Sequence, residues 1–222
     1  MGKWIDFVRQ VMHAGTKCIY CERELPEGEL VCAECAREED ELRNRDGFAG
    51  GILYAYRYGG VVRTLVHRLK YNDSPHCSLF MAQRMAEFLD GYEVNADAVT
   101  FVPMHKKRRR TRGYDQSELL ARHLGMLLNI ACETMLVRGR ETRPQYKLGA
   151  QQRWRNVHDA FILAEGAQPE GKNILLIDDV FTTGATVGEC MKVLADAGAN
   201  VMVFTYAKEF PQTEKRIGFP RI

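Results

Sequence analysis

The segment Ile174-Leu-Leu-Ile-Asp178-Asp179-Val-Phe-Thr182-Thr183-Gly184-Ala185-Thr186 sets two carboxylates beside three hydroxyl side chains across a short turn. Its four apolar residues predict a buried central strand from Asn173 to Ile177. The aspartates leave the C-terminal end of that strand, where open α/β sheets bind their ligands. The turn then enters a helix expected from Thr186 to Ala197, with Val187, Cys190, Met191, Val193 and Leu194 on its apolar face. Such a turn presents unpaired backbone N–H groups and a partial positive charge. Thr182, Thr183 and Thr186 add hydroxyl donors, and Gly184 lets the backbone approach a ligand oxygen without a Cβ in the way. The dipole contributes roughly 0.3–1 kcal/mol and up to about 2, whereas each hydrogen bond to a charged phosphate contributes about 1.5–3. The donors therefore outweigh the dipole. This chemistry suits a phosphomonoester cradled by Thr182, Thr183, Gly184, Ala185 and Thr186, with Asp178 and Asp179 accepting hydrogen bonds from sugar hydroxyls. A strand-end Asp pair followed by an ordinary threonine cap is the plainer reading, and the fixed Thr-Thr-Gly-x-Thr spacing weighs against it.

A second candidate is cationic. Lys106, Lys107, Arg108, Arg109, Arg110 and Arg112 place six positive charges in seven residues. They follow a short strand expected over Val99–Val102 that Pro103 stops, and they precede a helix expected over Asp115–Leu128. The run is thus expected on a loop at the same sheet edge as Asp178. A diphosphate or a nucleic-acid backbone needs clustered cations; a solvated charge run is the plainer reading. From Arg138 to Val157 the chain is polar, cationic and interrupted by Pro144, which is long for a connection inside a compact domain. It reads as a lid over a phosphorylated ligand or as surface filler. Tyr114, Tyr146 and Trp154 lie among these cations and could stack bases.

The third candidate binds metal. Cys18-x-x-Cys21 and Cys32-x-x-Cys35 are two pairs separated by a stretch containing Pro26 and Gly28. That spacing can fold four thiolates around a tetrahedral Zn²⁺, and with every position a cysteine the site would be closed and structural. Metal binding would supply the folding energy of so short a module, roughly 10–16 kcal/mol apparent in small zinc peptides. An iron–sulfur site or two redox pairs are the other readings. His13 reads as an ordinary helix residue, and Cys77, Cys132 and Cys190 as core or helix positions.

These groups need elements to position them. The chain has 222 residues, enough for one α/β domain plus a small module, and a hydrophobic fraction of 45% with 27% charged residues is ordinary for a globular protein. Net charge is only +2, so attraction to nucleic acid must be local. No apolar run approaches the length of about 20 residues that spans a bilayer, and Met1–Met12 mixes Trp4, Phe7 and Val8 with Lys3, Asp6 and Arg9, suggesting a short amphipathic helix. A cytoplasmic protein without membrane insertion is expected. Residues 1–47 are read as that helix, the four-cysteine module and a charged linker over 37–47, which suits a solvated helix or linker and marks the boundary; residues 48–222 are read as an α/β domain with a mostly parallel sheet flanked by helices. Strands are expected at Ile52–Tyr58, Met135–Val137, Ala160–Leu163 and Val201–Tyr206, and helices at Val61–Leu69 and Leu79–Leu89. Asp115 is expected to cap its helix with Glu118 three residues on.

The apolar strand, the two acids and the Thr-Thr-Gly-x-Thr turn resemble the phosphoribosyl-diphosphate signature of the phosphoribosyltransferases. That resemblance implies that catalytic Asp178 and Asp179 face the ribose, that Thr182–Thr186 hold the 5-phosphate, and that Mg²⁺ arrives on the diphosphate. With Pro103, the basic run, Arg112-Gly113-Tyr114, Gln116, Arg138, Thr142, Pro144-Gln145, Leu148, Arg153, Asn156-Val157, Phe161 and the leading cysteines, the chain is similar over nearly its whole length to the ComF family of competence-associated proteins. Asp115 departs from that pattern, where Asn is expected. The ComF resemblance implies a part in natural transformation: cytosolic handling of single-stranded DNA through a phosphoribosyltransferase-like domain, with competence or recombination proteins as partners. An active Mg²⁺-dependent phosphoribosyltransferase of nucleotide or nucleoside metabolism, and a non-catalytic phosphoribosyl-diphosphate sensor, are the alternatives.

Overall fold

The structure is a computed structural model that describes residues 17–49, 51–71, 74–92, 94–139 and 157–210. The helix expected at Met1–Met12, His13, and Thr142 to Asn156 with Tyr146, Arg153 and Trp154 lie outside the described residues.

The first helix, α1 (Ala33–Leu42), begins inside the cysteine module. A five-stranded sheet follows, in the order β1 (Phe48–Ala49), β2 (Ile52–Arg57), β7 (Asn200–Lys208), β6 (Asn173–Phe181) and β3 (Ala98–Phe101). All pairings are parallel except β1 with β2. The other elements are α2 (Gly60–Tyr71), α3 (Cys77–Leu89), α4 (Lys106–Arg112), α5 (Gln116–Leu128), a two-stranded sheet of β4 (Leu136–Arg138) and β5 (Phe161–Leu163), and α6 (Ala185–Asp196). The expected fold class, α/β with a mostly parallel sheet flanked by helices, is what the chain adopts.

Alternation along β6 explains the two layers. Leu175 and Ile177 face a core built with α2, α3, α5 and the cysteine module. Ile174 and Leu176 face a second core built with α6, Met135, Leu136 and Phe161. A strand buried on both faces must be apolar throughout, which is the pattern that marked it.

The structure departs from the expected elements in three places. The expected strand at 173–177 runs on to Phe181, because β7 accompanies it in register to Phe181↔Lys208; both aspartates therefore sit in the ladder. The basic run, expected as a loop, is the helix α4. His105 Nδ1 accepts from Lys107 N at 3.3 Å at its start, and Gly113, at φ 87°, closes it with its N–H on the Arg109 carbonyl. The charged stretch 37–47, expected as a solvated helix or linker, is helical in its first half but not solvated throughout. Its first half is the end of α1, where buried Glu39 accepts from Tyr56 Oη at 2.9 Å and pairs with Arg84 Nε at 2.9 Å. Its second half is tied to β2 by Asn44, whose N–H donates to the Ala55 carbonyl at 2.8 Å and whose amide donates to Gly47 and Tyr54. A densely charged segment holds this course because the buried Glu39 and Asn44 side chains find partners.

Candidate functional site

Parallel β3 and β6 bring two functional segments to one edge. Val102 N still bonds to the Ile177 carbonyl at 3.0 Å, so Pro103 and α4 leave the sheet beside Asp178 and Asp179. Asp115, buried at the head of α5, fastens this arrangement. Its Oδ1 accepts from Ser117 N and Glu118 N, and its Oδ2 accepts from Met104 N at 2.6 Å. One carboxylate thus caps α5 and fixes the approach to the basic helix. Burial pushes its carboxyl up, against the lowering effect of those backbone donors.

Asp178 is half-buried and Asp179 buried. Asp178 Oδ1 accepts from Ser117 Oγ at 2.8 Å and from Asp179 N at 2.9 Å. Asp179 Oδ2 pairs with Lys70 Nζ at 3.0 Å, with side-chain exposures of 24% for the lysine and 4% for the aspartate. Burial, and then the neighbouring Asp179 charge, push the Asp178 carboxyl up to about 7, with Lys70 and Ser117 opposing. Burial alone would lower Lys70, but the charges of Asp179 and Asp178 raise it overall. The site therefore sets the Lys70–Asp179 ion pair beside a carboxyl pushed up to about 7.

The turn that follows leads into α6 through Gly184, which has no side chain of its own to cap the helix. Thr182, Thr183, Gly184 and Thr186 are half-buried and Ala185 is buried. Thr183 Oγ1 is closed off from solvent with no hydrogen-bond partner among the described residues, which costs about 1–3 kcal/mol. Gly184 has φ 77°, and a Cβ there would lie 2.7 Å from Phe181 Cζ. Its requirement for glycine comes from the left-handed turn folded over Phe181, a reason independent of any ligand.

The basic run is placed on the same side. None of α4 is buried; Lys106, Lys107, Arg109 and Arg110 are exposed, and Arg108 and Arg112 are partly so. Arg109 pairs with Glu118 at 3.1 Å. Tyr114, expected as a stacking residue, is instead packed against the core, with its hydroxyl donating to the Leu69 carbonyl at 2.5 Å. Arg138 is buried with its guanidinium 5.0 Å from the Phe161 ring centre.

The four cysteines converge. One Sγ from each of Cys18, Cys21, Cys32 and Cys35 lies within 4.8 Å of the others, and all but Cys21 are buried. Cys18 Sγ accepts from Cys32 N and Cys32 Sγ accepts from Cys35 N, each at 3.5 Å. The Cys35 N–H bond draws the Cys32 thiol down to about 7, while burial and the neighbouring sulfurs push Cys35 up. Four thiols this close cannot all ionise unaided. A bound cation is what permits it, so the donor set fits a metal ion. The module is locked to the site helix, since Arg68 of α2 donates to the Ile19 carbonyl at 2.7 Å and pairs with Glu22 at 2.8 Å.

Lys70 and Ser117 are site residues that sequence reasoning missed. Lys70 looks like a surface cation ending an amphipathic helix, and nothing local signals a partner on β6. Ser117 sits behind the Asp115 cap, where a serine is unremarkable until α5 is known to begin against Asp178.

Fold and site together define an α/β protein with an acid pair and a threonine-rich helix N-terminus at one sheet edge, joined to a cysteine module that could hold a metal. No family model matches the chain. Curated proteins do. The chain is similar to DNA utilization protein YhgH of Escherichia coli (strain K12), 28% identical over 190 residues that cover 83% of this chain and 80% of that protein. It is similar to competence protein F of Haemophilus influenzae, 27% identical over 189 residues covering 82% and 79%. Competence protein ComFC of Bacillus subtilis matches at 27% over 182 residues, covering 79% and 71%. The resemblance to ComF-type competence and DNA utilization proteins thus extends over most of the chain. Among solved structures, an adenine phosphoribosyltransferase aligns with TM-score 0.42 and 13% identity over 68% of this chain and 78% of its own.

Proposed function

We propose that this chain handles single-stranded DNA in the cytoplasm, a reading supported as far as DNA handling by relatives named for DNA utilization and competence, and that its α/β domain binds phosphoribosyl diphosphate or a related phosphorylated ribose. The observation that carries the reading is the placement of Asp178 and Asp179 at the end of β6, immediately before the threonine turn and the start of α6 at Gly184. Thr182, Thr183, Gly184, Ala185 and Thr186 hold the 5-phosphate through backbone N–H and hydroxyl donors, and Thr183 Oγ1 gains the partner it lacks. Asp178 accepts from the ribose hydroxyls. Asp179 does so once Lys70 yields part of its hold. Mg²⁺ fits as a companion of the diphosphate, because such sites hold it through substrate phosphates and few carboxylates. Cys18, Cys21, Cys32 and Cys35 hold a structural Zn²⁺.

Lys106, Lys107, Arg108, Arg109, Arg110 and Arg112 supply the cationic track for DNA or for diphosphate. Single-strand affinity should fall with salt at a log–log slope of about −0.7 per phosphate contacted. Replacing Arg108, Arg109 and Arg110 with Gln should weaken binding and flatten that slope. Unchanged affinity and slope would remove α4 from the account.

One observation favours a second reading, an active phosphoribosyltransferase. Asp178 is held near neutrality, where a carboxyl can exchange a proton during turnover. Diphosphate release with a panel of bases, compared with Asp178→Asn plus Asp179→Asn, separates the two. Release by the wild type that the double variant loses establishes the enzyme; binding without release establishes the non-catalytic binder.

A further inference from the structure

We infer that Tyr71 is a nucleobase-stacking platform for single-stranded nucleic acid, held open beside the acid-pair site by His67 and Arg112. The inference rests on the DNA-handling reading above and names the surface that reads bases, a part the packed Tyr114 does not play.

Tyr71 ends α2, one residue beyond the lysine that pairs with Asp179. Its exposure is 57%, high for a large aromatic side chain. Two groups hold the ring. His67, one turn earlier on the same helix, lies with its ring centre 4.6 Å away at 44°, and the Arg112 guanidinium lies 5.4 Å from the ring centre. Arg112 is itself tethered, donating to Gln116 Oε1, and the adjoining Tyr114 hydroxyl on the Leu69 carbonyl clamps the end of α4 against the end of α2. The result is an exposed aromatic ring with a guanidinium over it, supplied by the helix that also carries the exposed Lys106 and Arg110.

The partner's chemistry follows. An aromatic face alone would suit many apolar ligands, but a row of cations beside it selects a polyanion that carries flat rings. Single-stranded DNA or RNA offers both: phosphates for α4 and unpaired bases for Tyr71. A duplex keeps its bases stacked on one another and is disfavoured. Stacking on any base is sequence-tolerant, so this platform supports general single-strand binding.

The test is fluorescence anisotropy with a labelled oligo-dT and an abasic strand of equal length, using the full metal-loaded chain. Wild type should bind oligo-dT more tightly than the abasic strand. Tyr71→Ala should lose about fivefold to a hundredfold on oligo-dT and less than about twofold on the abasic strand, because its phosphate contacts remain. Tyr71→Trp should retain wild-type affinity, and oligo-dT should quench its emission beyond the change seen for Trp4 and Trp154 in the wild type. Equal affinities of Tyr71→Ala and wild type for oligo-dT, or equal losses on both strands, would overturn the platform while leaving DNA handling intact. Wild type that binds neither strand would instead overturn the DNA-handling reading, and the platform with it.

Discussion

Lys70 Nζ lies 3.0 Å from Asp179 Oδ2, on the same helix whose Arg68 donates to the Ile19 carbonyl between two of the clustered cysteines. Helix α2 therefore touches both the acid pair and the cysteine module with its last turn. The two halves of the site are mechanically joined.

Removing the lysine should leave a buried carboxylate unpaired. Breaking a fully buried pair costs about 3–5 kcal/mol; Lys70 keeps some solvent contact, so Lys70→Met should cost about 2–4 kcal/mol in urea unfolding. Lys70→Met combined with Asp179→Asn should recover most of that loss. Additive losses in this double-mutant cycle would mean that the pair contributes little.

The Asp178 carboxyl, raised to about 7, gives a signed pH dependence. The folded state holds this proton more tightly than the unfolded state, whose carboxyl titrates near 3.9. Its contribution is fully present below about pH 4 and is lost as pH rises to about 7. Asp178→Asn keeps an oxygen acceptor for Ser117 and has no charge to bury. Its melting temperature should match the wild type at pH 4 and exceed it by a margin that grows to pH 7 and then levels. A constant margin would show that Asp178 titrates normally.

Asp115 serves two sides at once through its two oxygens. Asp115→Asn keeps one oxygen for the α5 cap but turns an amide N–H₂ toward the Met104 N–H. Chemical denaturation should show a loss of about 1–3 kcal/mol, the range for a buried donor left unsatisfied. An unchanged stability would mean that Met104 N finds another acceptor.

The cysteine cluster should carry one metal ion per chain, measured by elemental mass spectrometry. Cys32→Ser with Cys35→Ser should abolish it. Chelation should lower the melting temperature by about 10 °C or more, since each kcal/mol is worth about 2–4 °C at this size. A melt indifferent to chelator would deny the module a structural metal.

The parts of this protein legible in its sequence are those where local pattern and tertiary role coincide. The apolar run Ile174–Ile177 reads as a two-sided strand because both faces are buried, and the Asp115 cap reads from its spacing to Glu118. The four cysteines converge as their pairing implies. What was hidden depends on distant partners. Glu39 looks like one more charge in an acidic run until Tyr56 and Arg84 surround it. The basic run hides a helix because like charges obscure the His105 and Gly113 signals that bound it. Lys70 gains its meaning only when α2 is laid against β6. Gly184 was legible as a needed glycine, but the cause, Phe181 beneath it, was not.

The most direct test is calorimetric titration of the metal-loaded protein with phosphoribosyl diphosphate and Mg²⁺. The account predicts saturable binding to one site per chain. It further predicts loss of binding in Thr183→Val with Thr186→Val, and marked weakening in Asp178→Asn with Asp179→Asn. No binding by the wild type, or binding that all four substitutions leave untouched, would contradict it.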